Sequence, residues 1–161
     1  MNALGTLHER WTIAATAFVL IFSAGAARAD RVRMPAAPLN AYRQECASCH
    51  MAYPPGLLPA ESWRRIIGSL SKHYGTDASL DAETAHEIEQ WLSANGATFK
   101  RVREAPSENR ITGSAWFGRK HREIPAEVWR RASVRGPANC NACHAGAEQG
   151  RFSDDEVRIP R

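Results

Sequence analysis

The sequence predicts a mostly α-helical protein of two small domains, the second shorter and more irregular than the first. Three observations carry this. The five-residue pattern C-x-x-C-H occurs twice, at Cys46-Ala47-Ser48-Cys49-His50 and at Cys140-Asn141-Ala142-Cys143-His144, the first cysteines 94 positions apart. Two apolar stripes recur at helical spacing, one on Trp63, Ile66, Ile67 and Leu70 and one on Ile88, Trp91 and Leu92. No two segments alternate apolar and polar residues well enough to read as paired strands.

Residues 1–29 read as an export signal. His8, Glu9 and Arg10 precede an uncharged run of 17 residues from Trp11 to Ala27, and Ala27-Arg28-Ala29 supplies a small-x-small cleavage pattern. That run lies at the lower edge of a membrane span, and its Ala- and Gly-rich end favours cleavage over anchoring. No later segment is apolar enough to cross a bilayer. The expected product starts at Asp30, has 132 residues, and is an exported protein of a bacterial periplasm. Such a length suits one domain or two very small ones.

Residues 30–40, with Pro35 and Pro38, read as an extended leader. Leu39 to His50 reads as a short helix entering the first motif, with Tyr42 on its apolar side. Met51 to Pro59, rich in Pro and Gly, is a loop. Pro59 then opens a helix whose stripe runs on to about His73 and Gly75. Asp81 is the expected N-cap of the next helix, which Asn95-Gly96 ends. These elements make a first domain over 41–99, and the polar stretch 100–112 with Pro106 reads as a linker. In the second domain, 113–161, Trp116 and Phe117 precede His121 in a short segment. Ile124-Pro125 opens a helix through Val128 and Trp129 to about Ala132, Gly136-Pro137 breaks the chain, and Ser153 to Glu156 is at best a capped turn.

The repeated motif is the attachment signature of c-type haem. Two cysteines three apart reach the vinyl groups on one porphyrin edge, and the next histidine sits under the ring, where a ring nitrogen can bind iron. Cys46, Cys49, Cys140 and Cys143 are all the cysteines of the chain. A zinc site, a redox dithiol and a disulfide are the competing readings. A four-cysteine zinc ribbon separates its pairs by about 15–20 residues, far fewer than here, and a thioredoxin-type dithiol needs a βαβ context that is absent. Two covalently attached haem c groups are therefore expected, each a large apolar plate that staples a small domain together, with the haem-free chain largely unfolded.

His50 and His144 are the expected proximal iron ligands. Among the other histidines beyond the signal, His73 ends an apolar helix before a Gly-containing turn, and His121 lies 23 residues before His144. These two are assigned as distal ligands. His86 falls off the stripe of Ile88, Trp91 and Leu92 and reads as solvent-facing. Met51 is tied to the proximal face by its neighbour, and Met34 lies in the loose leader. Two histidines on each iron argue for low reduction potentials.

The formal charge of +4 overstates the basic character. Without the signal the chain has 19 basic and 16 acidic residues, and two propionates on each haem bring the sum to about −1. Bulk charge thus gives no support to a nucleic-acid partner. Arg64-Arg65, Lys100-Arg101, Arg119-Lys120 and Arg130-Arg131 read as solvated surface, propionate partners or a docking patch.

Tyr42-Arg43-Gln44-Glu45 before the first motif and His50-Met51-Ala52-Tyr53-Pro54-Pro55 through it are joined by Arg110-Ile111-Thr112, Trp116-Phe117 and His121. With Ala147-Glu148, Gly150, Phe152 and Ile159-Pro160 after Cys143-His144, this set resembles the small exported dihaem cytochrome c family of bacteria. The resemblance spans nearly all of the chain after the signal. It implies two haem-centred domains, the first cytochrome c-like, with bis-histidine coordination at low potential. His73 and His121 match its distal positions. It also implies redox partners: an oxygen-binding monohaem cytochrome and a membrane b-type cytochrome.

The expected activity is single-electron transfer without bond chemistry. Two other classes remain open. A peroxidase or an oxygen- or nitric-oxide-reactive enzyme would need one iron with an open sixth position. A subunit feeding electrons into a periplasmic reductase would usually place its motifs closer together.

Overall fold

The computed structural model of the chain describes residues 32, 34–35, 37, 39–99 and 102–161. The expected signal, 1–29, lies outside them. Among the described residues the protein is mostly helical and has no strand. A lone antiparallel bridge joins His73 to Thr76. No described helix is long and apolar enough to cross a membrane. The α-helices are α1 (Asn40–Cys46), α2 (Ala60–Ile67), α3 (Ala82–Asn95), α4 (Ala115–Lys120) and α5 (Ala126–Arg130), joined by 3₁₀ turns. With 14 residues α3 is the longest; the others fall below the roughly 12–15 residues at which a helix begins to persist alone. Packing must hold them.

Around the first motif, in residues 40–99 (called the first lobe), that packing is a small apolar core of Tyr42, Leu58, Trp63, Ile88 and Leu92, with Ile66, Ile67 and Trp91 half-buried against it. Helix α3 starts and stops where its sequence dictates. The Asp81 carboxylate accepts the Thr84 N–H at 2.9 Å, satisfying one of the donors that a helix N-terminus leaves free. At its other end Gly96 passes so near α2 that an added Cβ would lie 2.9 Å from the Ala60 nitrogen.

Two helices stop earlier than the apolar pattern suggests. Helix α2 ends at Ile67, not near His73, and Leu70–Lys72 forms a separate 3₁₀ turn. Gly68 weakens the helix there, and the Ser69 hydroxyl donates to the Arg65 carbonyl at 2.7 Å, competing with the backbone ladder. Helix α1 ends at Cys46 and the rest of the first motif is turn. Here the Ser48 hydroxyl donates to the Glu45 carbonyl at 3.1 Å.

The second lobe has little core of its own: Phe117, Val128, Val134 and Ala147 are its buried apolar side chains. Ser114 caps α4, its hydroxyl oxygen accepting the Phe117 N–H at 3.3 Å while its O–H donates to the Ile111 carbonyl at 2.7 Å. Helix α5 ends at Arg130, because Arg131 adopts an extended conformation, and the Arg131 guanidinium donates instead to the Pro160 carbonyl at 2.7 Å. The Ser153 side chain makes no cap on the 3₁₀ turn Asp154–Glu156.

The segments flanking the first lobe are anchored rather than free. Ile111 packs against its core. Tyr74 donates its hydroxyl to the Glu108 carbonyl at 3.0 Å, and the Arg110 guanidinium lies 4.1 Å over the Tyr74 ring. The leader reaches the second lobe: the Val32 N–H donates to the Gly150 carbonyl at 3.0 Å. Gly150 has φ +72 and lies so close to the Val32 carbonyl that a side chain would collide.

Replacing Leu92 by Ala removes a fully buried side chain and is expected to lower stability by about 2–5 kcal/mol. Denaturant unfolding of the haem-loaded protein, followed by far-UV circular dichroism, measures this; an unchanged midpoint would place Leu92 outside the core.

Candidate haem centres

Each C-x-x-C-H runs through a tight turn. In the first, Cys46 closes α1 and His50 follows three turn residues. In the second, Cys140–Ala142 forms a 3₁₀ turn and the His144 N–H donates to the Cys140 carbonyl at 2.9 Å. The tail clamps this turn, with the Arg158 N–H donating to the Cys143 carbonyl at 3.0 Å.

No disulfide joins any of the four cysteines. Burial pushes Cys46 and Cys140 up to about 11 and raises Cys143 as well. That is the reverse of the lowered value that a reactive dithiol requires. Among the described residues no three His, Cys, Asp or Glu side chains gather closely enough to hold a metal by themselves. The two cysteine pairs therefore do not converge on one zinc centre.

The histidines do pair. The ring centroids of His50 and His73 lie 6.1 Å apart, with 29° between the ring planes. Those of His121 and His144 lie 6.2 Å apart at 82°. A metal–imidazole bond of about 2 Å on each side, added to the radius of each ring, sets two trans imidazoles about 6 Å apart. His86 joins neither pair; it is exposed on α3, with its Nε2 2.8 Å from the Gln90 side-chain amide. Met51 is buried beside His50. Met34 lies near Gly150 of the second lobe.

Hydrogen bonds and aromatic contacts orient these rings. His50 Nδ1 is 2.7 Å from the Met51 carbonyl, and His121 Nδ1 is 3.0 Å from the Phe117 carbonyl. Donating an Nδ1 proton to a carbonyl leaves the other ring nitrogen as the base that can bind a metal. His121 stacks on Phe117 at 4.0 Å, and His144 meets the edge of Phe152 at 5.3 Å. Burial, then the neighbouring His50 and Arg110, lowers the His73 pKa. His144 is lowered by burial and by His121, against an opposing pull from Asp154. Neutral imidazole is the form that ligates.

A cavity of about 700 Å³ opens beside His121 and His144. Cys140, Cys143, Trp116 and Trp129 line it, together with Leu57 and Ile111 from the first-lobe side. The Trp116 indole N–H is buried there without a protein acceptor, so a polar group on a bound ligand can take it. Thioether-forming thiols, apposed imidazoles, an apolar cavity and a spare donor fit a covalently held haem.

Local sequence reasoning missed Tyr53 and Val32. Burial pushes the Tyr53 hydroxyl up to about 12. It hydrogen-bonds 85 positions away, to the Ala138 carbonyl at 2.7 Å. No local pattern announces so distant a partner.

The family model for dihaem cytochrome c matches residues 42–152. A solved diheme cytochrome c from Shewanella baltica is similar at 41% identity and a TM-score of 0.67, covering 75% of this chain and 92% of that one. The DHC structure purified from Rhodobacter sphaeroides gives 40% and 0.63, over 74% of this chain and 100% of that one. A second diheme cytochrome c structure from Rhodobacter sphaeroides gives 42% and 0.63, over 70% and 94%. No curated protein sequence matches the chain. The protein binds two covalent haem c groups, one at each motif.

Replacing Cys140 and Cys143 together by Ala is expected to halve the covalent haem, from two groups per chain to one. Intact mass and the pyridine haemochrome spectrum measure it. The expected companion effect is greater protease sensitivity confined to residues 113–161, since that lobe loses the plate filling its cavity.

Proposed function

The chain belongs to the dihaem cytochrome c family, and from that premise we propose that it is an exported electron carrier. Both irons are held by two histidines, His50 with His73 and His121 with His144. The observation that carries this is the pair of imidazole separations, 6.1 and 6.2 Å, in two lobes of different sequence and helix content.

When bound, each haem supplies an iron that gains and loses one electron. The chain supplies attachment, orientation and exclusion. Cys46 with Cys49, and Cys140 with Cys143, tether one porphyrin edge each. His50 and His121 are aimed by their carbonyl partners. His73 is carried on a turn whose next residue, Tyr74, is locked to Glu108 and Arg110. Phe117, Trp129 and Phe152 are stiff walls, so little rearranges when charge changes at the site. A second imidazole on each iron also denies that position to oxygen or peroxide, which separates a carrier from a haem enzyme.

On the same reading both potentials are low. The protein works in a periplasm after loss of residues 1–29. Its partners are redox proteins, an oxygen-binding monohaem cytochrome and a membrane b-type cytochrome being those the resemblance implies.

Optical and EPR spectra of both redox states, with and without carbon monoxide, test the coordination. The expected wild-type result is two low-spin irons and no carbon monoxide uptake by the reduced protein. His73→Ala and His121→Ala should each open one iron to carbon monoxide, while His86→Ala should leave the spectra unchanged. Rapid uptake by the wild type would favour the enzyme reading instead.

A further inference from the structure

Tyr53 touches both haem sites. Its ring centroid lies 4.9 Å from that of His50. Its hydroxyl donates at 2.7 Å to the carbonyl of Ala138, two residues before the first cysteine of the second motif. The same carbonyl accepts the backbone N–H of Cys140 at 3.0 Å and lies 3.7 Å from the Cys140 sulfur. One phenol therefore links the histidine of the first motif to the carbonyl that receives the Cys140 N–H of the second.

The two ends of this span are fixed independently. On the first-lobe side the buried Tyr42 donates its hydroxyl to the Tyr53 carbonyl at 2.8 Å. Pro54 and Pro55 follow, both buried, and the Trp63 indole donates to the Pro55 carbonyl at 2.8 Å. On the second, the Asn139 side chain donates to the Val134 carbonyl at 2.9 Å, closing the turn that presents Ala138. The bond between the ends is itself exposed. Water could satisfy either partner, so it contributes little to folding. Its consequence is relative position.

We propose that Tyr53 is the coupling residue between the two haem sites: it fixes the His50 side of one against the Cys140 side of the other and lies on the route of the electron passing between them. This rests on the carrier reading above. In that passage one site is oxidised by one electron and the other reduced by one. Tyr53 is neither oxidised nor deprotonated, and no proton moves.

The test uses the full, haem-loaded protein. Tyr53→Phe keeps the ring against His50 and removes the hydroxyl; Tyr53→Leu removes both. Two readouts report coupling rather than folding: the Soret circular-dichroism couplet, which depends on the mutual distance and orientation of the two chromophores, and the rate of electron exchange between them after flash reduction. The expected result is full haem content and unchanged low-spin spectra, with a smaller couplet and severalfold slower exchange in Tyr53→Phe and a larger loss in Tyr53→Leu. Wild-type couplet and exchange in both variants would overturn the coupling role. So would loss of a haem or an iron opened to carbon monoxide, which would make Tyr53 part of haem retention. If the wild type itself took up no electrons reversibly, the carrier reading would fall and this one with it. Reversible uptake with indifferent variants removes the coupling role alone.

Discussion

A single distance organises the molecule: the gap between two imidazole rings, held near 6 Å in each lobe. Nothing intrinsic to the rings maintains it. Two neutral imidazoles with centroids about 6 Å apart attract each other only weakly, and burial keeps His73 and His144 toward the neutral form. The chain imposes the gap from outside, through carbonyls behind His50 and His121 and through aromatic walls. It does so twice at the same sequence separation, 23 residues, but in opposite order. In the first lobe the motif histidine comes first and the chain returns through α2. In the second the partner arrives ahead of the motif, by way of α4 and α5. Equal spacing with reversed order means that no simple duplication of one structure describes the two lobes.

This pattern decides what was legible in the sequence. The motifs are read at once because covalent chemistry fixes their spacing: two thioethers and an iron bond must meet one rigid porphyrin. Helix α3 was equally plain, since Asp81 and Asn95-Gly96 mark its ends by local hydrogen bonding. The sequence misplaces the end of α2 because the apolar stripe continues past the helix. Ile66, Ile67 and Leu70 remain only partly covered, and Ser69 unwinds the ladder between them. The anchoring of 107–111 on Tyr74, the docking of Val32 on Gly150 and the bond from Tyr53 to Ala138 were invisible. Each joins residues far apart in sequence, by contacts that carry no periodicity.

Those long contacts also explain how so slight a second lobe keeps a shape. Its helices have 6 and 5 residues, and few of its apolar side chains are buried. The cavity beside His121 borrows Leu57 and Ile111, the first of them deeply buried and the second packed on the first-lobe core. The haem plate takes the place that a larger domain would fill with side chains. Fold and cofactor site are one structure there.

Shared walls have an energetic consequence. Anything that binds only the folded state stabilises it by mass action, and a covalent group is bound at all concentrations. A group that fills this cavity packs against Leu57 and Ile111, so it also favours the position of Ile111 against the first core. The polar link between the lobes from Tyr53, and the leader's link from Val32 to the second lobe, are single hydrogen bonds, each contributing about 1 kcal/mol at most. They are too weak to hold two lobes together alone. They are strong enough to select one register among those the apolar contacts permit, and register is what an electron crossing between two fixed sites is sensitive to. The division of labour follows from the magnitudes: apolar burial and the haems keep the lobes together, and a few directional bonds set how they face each other.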